Sequence, residues 1–305
     1  KRFDEYCNDK VVGTNGFYAM KAHWSEHPDR DETWAETERS RIGEERFRRE
    51  HECEFLIFDE TLISSIVLAD MEGIPPVETT GQVRWFKRPT PGHTYMVSLD
   101  PSMGTGGDYA AIQVFELPTF EQIGEWHHNQ TPMNQQVRIL QGINKHIYDT
   151  IMEQDASATP QIFYSMENNT IGEAALMRVM DIGEENIQGM FLSEPIRKGH
   201  RRKFRRGFNT TAKHKIDACT KFKELVENDK MKINSQLLIS EMKDFVASGL
   251  SYKAKPGQHD DLVSACLLMT RMMKVLADFD PKIFEKWTDR TSEITPMPIF
   301  GSFTG

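Results

Sequence analysis

Thr94–Leu99 (TYMVSL), Asp100, the turn 101–108 (PSMGTGGD), Tyr109–Leu117 (YAAIQVFEL) and Thr119–His127 (TFEQIGEWH) form the stretch that decides the fold. Three apolar runs follow one another with only short connections, which is the pattern of an antiparallel meander. Downstream, Gln135–Met152 has helical periodicity, and Gln161–Met166 (QIFYSM) reads as a fourth strand ending at Glu167. Ile171–Met180 reads as a helix, Met190–Leu192 as a short strand, and Thr211–Glu227 as a helix with Asn209 or Thr210 as its N-cap. Glu241–Tyr252 is ambiguous between helix and strand, whereas Asp260–Leu276 (DDLVSACLLMTRMMKVL) is a strongly apolar, buried helix. Three hairpin-linked strands followed by crossovers predict an α/β protein, a mixed sheet with helices packed on it.

Outside this block the pattern changes. Residues 1–70 are polar, acidic and helical in pattern, with Trp34, Ile42, Phe47 and Phe55 as a thin apolar stripe among charges. Residues 71–92 hold Pro75, Pro76, Pro89 and Pro91 and read as a linker. The folded block is expected over 93–278, and 279–305 reads as a tail. The chain has 305 residues, 38% of them apolar, enough for a proper core. No apolar run approaches the ~18–20 residues that cross a bilayer, and no signal-peptide pattern is seen, so no membrane partner is expected. Cys7, Cys53, Cys219 and Cys266 are scattered, which argues against a zinc knuckle or a disulfide framework.

The net charge of −9 hides an asymmetry. Residues 197–223 carry eleven Lys/Arg against one acid, Asp217, a net of +10, which leaves −19 on the other 278 residues. A run this dense is either a solvated loop or a phosphate-binding strip. Its candidate contacts are Arg197, Lys198, Arg201, Arg202, Lys203, Arg205 and Arg206, then Lys213 and Lys215 at the following helix, with Lys253 and Lys255 further on. Such contacts position nucleic acid without reading its sequence.

Acids sit at informative places: Asp100 ends the first strand, Glu167 ends the fourth, and Asp260 and Asp261 open the last helix. In a mixed sheet the first and fourth strands can lie side by side, and a helix start across the sheet edge can add a third acid. Crowded carboxylates repel one another unless a cation binds. All-oxygen sites suit Mg²⁺ or Mn²⁺, and two such ions can activate a water for phosphodiester cleavage. Each acid also has a plain structural reading, as turn starter, solvated strand end or helix-dipole partner. Glycines 104, 106 and 107 offer a competing reading as a phosphate-gripping nest.

On Ser98-Leu99-Asp100 with its glycine turn through Asp108-Tyr109, on Tyr164-Ser165-Met166-Glu167-Asn168-Asn169 and on His259-Asp260-Asp261-Leu262-Val263, the chain resembles the large terminase subunit of tailed phages, the T-even type in particular. The resemblance implies an RNase H-like fold. It also implies a metal-dependent endonuclease, cutting double-stranded viral DNA with little sequence preference during packaging, in the cytoplasm of the infected host. It implies Asp100, Glu167 and Asp260 as catalytic, and Asp100, Glu167, Asp260, Asp261 and Asp108 as metal positions. Of the adjacent pair Asp260 is preferred, with Asp261 as a cap or supporting group. His259 reads as a loop residue, with approach to the scissile phosphate as the alternative. Trp24–Phe55 is similar to the end of the family's ATPase domain, but no G-x-x-x-x-G-K-[ST] occurs, so no ATP site is expected in this chain. The family implies a portal protein and a small terminase subunit as partners. The competing classes are an actin/sugar-kinase-like phosphotransferase and a non-catalytic DNA-binding or portal-docking module.

Overall fold

The computed structural model describes residues 23–53, 60–169, 171–195 and 206–279. The chain divides into two compact units, Lys1–Asp59 with Ser64–Asp70, and Glu60–Ile63 with Met71–Gly305. In the smaller unit, α1 (Glu32–Ile42) starts at Asp31, whose carboxylate accepts the Trp34 N–H at 2.8 Å. Gly43, at φ +85°, ends α1 and begins α2 (Glu44–His51). A short α3 (Ser65–Asp70) follows. Trp24, Ala35 and Phe47 form a small core with Trp34 and Ile42 against it, so three residues of the expected stripe pack together, while Phe55 lies outside the described residues.

The larger unit carries a seven-stranded sheet in the order β1-β2-β5-β4-β3-β6-β7. The strands are β1 (Glu78–Thr80), β2 (Val83–Trp85), β3 (Thr94–Asp100), β4 (Ala110–Leu117), β5 (Glu121–His128), β6 (Gln161–Met166) and β7 (Met190–Phe191). β3, β4 and β5 form the expected antiparallel meander, and β6 lies parallel to β3 with Leu99 beside Met166. The crossover between β5 and β6 is α4 (Met133–Gln154), followed after β6 by α5 (Gly172–Ile182). Proline-rich 71–92 is not a simple linker. Its Val-Arg-Trp-Phe run at 83–86 lies between the prolines rather than across them, so β1 and β2 extend the sheet beside β5 and bury Val83, Trp85 and Phe86. Gly124 is required there, because a Cβ would come within 2.8 Å of the Trp85 ring.

Alternation along β3 sends Tyr95, Val97 and Leu99 into an apolar core with Val137, Leu140, Ile143 and Ile147 of α4 and Ala175 and Val179 of α5. Met96, Ser98 and Asp100 face the other way, toward α8 (Asp261–Phe279), where Ser98 Oγ donates to the Ala265 carbonyl at 2.8 Å. α6 (Ala212–Glu227) and α7 (Gln236–Asp244) complete that layer, with both sheet faces covered. Thr211 is the N-cap of α6, in place of Asn209 or Thr210. The ambiguous 241–252 stretch splits: α7 ends at Asp244, and β8 (Phe245–Ser248) and β9 (Ser251–Ala254) form a hairpin. No helix among the described residues is long and apolar enough to cross a membrane.

Candidate active site

The parallel pairing of β3 and β6 places two acids side by side. The Glu167 N–H donates to the Leu99 carbonyl at 3.1 Å, so Glu167 continues the register one step beyond Met166, next to Asp100. Glycine is needed five residues later, because a Cβ on Gly172 would collide with the Glu167 carbonyl. Antiparallel register extends the same row across the sheet: Asp100 pairs with Ala111, and Ala111 with His127. Paired residues share a face, so Glu167, Asp100, the small Ala111 and His127 line one edge beneath the start of α8.

Charge is crowded there. Burial pushes the Asp100 carboxyl well above the usual carboxylate range, and the charge and hydrogen bond of Glu167 add to this, followed by Asp261 and then Asp260. Asp261 is pushed up to about 6, first by burial and then by Asp260, while His259 and the backbone N–H of Tyr109, which its carboxylate accepts, oppose the rise. His259 Nδ1 lies 3.7 Å from Asp261 Oδ2. Asp108 is exposed and adds a smaller repulsion on Asp261.

The two adjacent aspartates are turned differently. Asp260 Oδ2 accepts the Ala254 N–H of β9 at 3.3 Å and lies 3.9 Å from Lys215 Nζ. Asp261 is the less exposed of the two and acts more strongly on Asp100. Neither caps α8 through its side chain. That role falls to Glu241 of α7, whose Oε2 accepts the N–H groups of Leu262 at 2.8 Å and Val263 at 3.2 Å, so the capping expected of Asp261 is not its own. Burial pushes Glu241 up to about 8, against the pull of those two N–H groups. Its Oε1 lies 3.6 Å from Nε2 of His127, whose ring stacks on Tyr109 at 4.1 Å. Tyr109 in turn meets the edge of His259 at 4.7 Å. Burial holds His127 down to about 4, with Arg84, His259 and His128 contributing.

Glu241, His127 and Tyr109 were not among the residues assigned roles from sequence. His127 has a signal in retrospect, since counting across the two hairpins puts it in the Asp100 row.

Among the described residues, no three His, Cys, Asp or Glu side chains close around one point as a finished metal cage. The donor set nevertheless fits a hard divalent cation: carboxylates only, two of them, Asp100 and Asp261, raised by burial and then by their neighbours' charge. Asp100, Glu167 and Asp261 are the groups that could hold such an ion, with Asp260 at the margin.

The basic positions fare unequally. Arg197, Lys198, Arg201, Arg202, Lys203 and Arg205 lie outside the described residues. Described residues on either side of it are tied down: Asn168 Nδ2 donates to the Arg206 carbonyl at 2.7 Å, and the Glu194 N–H to the Gly207 carbonyl at 3.2 Å. Arg206 pairs with Glu184, Lys215 with Asp260, and Lys255 with Asp244 at 3.3 Å, whereas Lys213 and Lys253 are exposed. In the glycine turn, two of the N–H groups of the competing nest reading are already engaged within the chain. The Gly104 N–H bonds Ser102 Oγ at 3.3 Å and the Gly106 N–H bonds the Asn129 carbonyl at 2.9 Å. A cavity of about 240 Å³ under the β1–β2 hairpin is lined by Trp85, Trp126 and His146 and by no carboxylate.

Comparisons with known proteins bear on the family and the fold. The family model described as the terminase RNaseH-like domain matches residues 97–272, which include Asp100, Asp108, Glu167, Asp260 and Asp261. The chain is similar in fold to the large terminase nuclease from thermophilic phage G20c, at 18% identity over 68% of this chain and 96% of that one, with a TM-score of 0.50. The magnesium-bound form of that nuclease aligns at 17% identity over 69% and 96%, also with a TM-score of 0.50. With the mixed RNase H-like sheet in place and the family match spanning more than half of the sequence, the chain belongs to the terminase RNaseH-like domain family.

Proposed function

We propose that the chain is a metal-dependent endonuclease that cuts double-stranded viral DNA with little sequence preference during genome packaging. The observation that carries this reading is the row in which Glu167 and Asp100 sit side by side beneath Asp261, in a family of terminase nuclease-type folds. The magnesium-bound nuclease of similar fold supports Mg²⁺ as the cofactor, and Mn²⁺ suits the same all-oxygen donors. A pair of such ions, when bound, supplies water activation and stabilisation of the leaving oxygen.

The chain's own residues do the rest. Asp100 and Glu167, fixed by parallel register, supply adjacent carboxylates on a rigid strand edge. Asp261 faces them, held by the Tyr109 N–H, and we take it in preference to Asp260 as the principal ligand from α8. Asp260 serves as the outer acid, tied to β9 and Lys215. His259 lies beside Asp261, where it can orient a phosphate oxygen. Asp108, exposed, is left a supporting role. Exposed Lys213 and Lys253 and the cationic 197–205 segment contact the DNA backbone and set its position rather than its sequence. In this reading the smaller helical unit is the end of a motor domain whose nucleotide-binding motifs are not in this chain. The whole protein then works with a portal protein and a small terminase subunit in the infected host's cytoplasm.

Supercoiled plasmid incubated with Mn²⁺ tests the reading. Nicking and linearisation are expected from the wild-type chain and not from Asp100→Asn or Glu167→Gln. ATP turnover without cleavage would favour a phosphotransferase, and DNA binding with neither would favour a docking module.

A further inference from the structure

Glu241 stands out among the groups left without a task in that mechanism. It lies on α7, whose own start is locked to the sheet. Ser235, the N-cap of α7, donates through Oγ to Glu125 at 2.6 Å, and the N–H groups of Asn234 and Ser235 both reach Gln122 Oε1, at 2.9 and 2.8 Å. From that fixed helix Glu241 reaches the first turn of α8 with one oxygen and faces His127 with the other. Helix starts carry N–H groups with no partner inside the helix, and one oxygen here satisfies two of them. His127 Nε2 is buried and has no hydrogen-bond partner, so the ring is held by its stack on Tyr109 and its approach to Glu241. Both routes end at the same residue. α8 begins with Asp261, and the Tyr109 N–H holds the Asp261 carboxylate.

We propose that Glu241 is a positioning residue for the nuclease site: by fixing the first turn of α8 and the His127–Tyr109 stack, it aims Asp261 at Asp100. The proposal rests on the nuclease reading above for its activity readout only. Glu241 needs an accepting oxygen for this task, not a charge, which separates it from the acids proposed as ligands.

The experiment compares wild type, Glu241→Gln and Glu241→Ala in plasmid cleavage across a Mn²⁺ titration, with folding checked by circular dichroism. Gln keeps an oxygen for the Leu262 and Val263 N–H groups, and Ala keeps none. Loss of a group that supports a ligand costs about 10–100-fold in metal affinity or activity. Glu241→Ala should therefore raise the Mn²⁺ concentration for half-maximal cleavage by about that factor, and Glu241→Gln should restore it toward the wild-type value. Ala cleaving at wild-type Mn²⁺, or a folded Gln variant as impaired as Ala, would overturn the proposal. The second outcome would mean that the charge itself is used. Amide hydrogen exchange provides a readout that needs no activity and no unstable variant. Leu262 and Val263 should exchange slowly in the wild type and stay protected in Glu241→Gln. Exchange at the rate of an unbonded helix start would overturn it. A wild-type chain that does not cleave would remove the nuclease reading, and the exchange result would still decide whether Glu241 holds α8.

Discussion

The two faces of the central sheet are built from alternate residues of the same strands and do opposite things. Leu99 and Asp100 are neighbours in the chain. Leu99 is fully buried among α4 and α5 side chains, and Asp100 faces α8 beside Glu167. The α4/α5 face is mainly apolar, from Tyr95 to Ile151, with Gln136 and Asn144 of α4 among its few buried polar groups. The α8 face buries Ser98, Gln113, Gln122 and Glu125, and each finds a polar partner. One face stabilises the fold through burial of hydrocarbon. The other holds a set of mutually repelling carboxylates in place, which is destabilising unless a cation joins them. The repelling acids are tolerated because the stabilising layer is one residue away, on the same rigid strands.

Replacing residues on either face should break the comparison in opposite ways. The largest effect is expected from Asp100→Asn, which should reduce Mn²⁺-dependent plasmid cleavage to background while the melting temperature holds or rises. Leu99→Ala should do the reverse, costing about 2–5 kcal/mol of stability in denaturant unfolding while the metal dependence of the surviving activity is kept. Equal stability losses in the two variants would mean that the faces are not specialised.

pH sharpens the contrast. In the metal-free protein Glu241, pushed up to about 8, still holds a proton at pH values where the unfolded chain has released it. The lowered His127 works in the opposite direction, but only below about pH 6.5, where an unfolded histidine takes up its proton. Between about pH 6.5 and 8 the native state therefore binds more protons than the unfolded one, and stability should fall as pH rises. Melting in EDTA across that range checks it, and Glu241→Gln should flatten the slope.

The smallest effects belong to the surface. Lys213→Ala and Lys253→Ala should each weaken DNA binding modestly and reduce the slope of log K against log salt by about one. Replacing Arg201, Arg202, Arg205 and Arg206 together should flatten it further. An unchanged slope would make the cationic run a solvated loop.

Much of this arrangement was legible in the sequence, because it follows from local pattern. Alternation and short turns give β3, β4 and β5, and the acids at two strand ends give the Asp100–Glu167 pair. What stayed hidden depends on contacts between distant segments. The two-stranded extension at 78–85 is short and flanked by prolines, and only its burial against β5 makes it a sheet element. Asp260 and Asp261 cannot be told apart by spacing, since Ala254 and Tyr109, from other segments, decide which way each turns. Glu241 caps a helix other than its own, and no local capping motif records that. Its segment was also ambiguous, because α7 ends and a hairpin begins within twelve residues of sequence that suit either state.

Asp100, Glu167 and Asp261 are proposed to form one metal-binding edge. Anomalous diffraction from a Mn²⁺-soaked crystal tests it most directly. A manganese peak bounded by Asp100 and the start of α8 is expected. Manganese bound elsewhere, with no density beside Asp100, would contradict it.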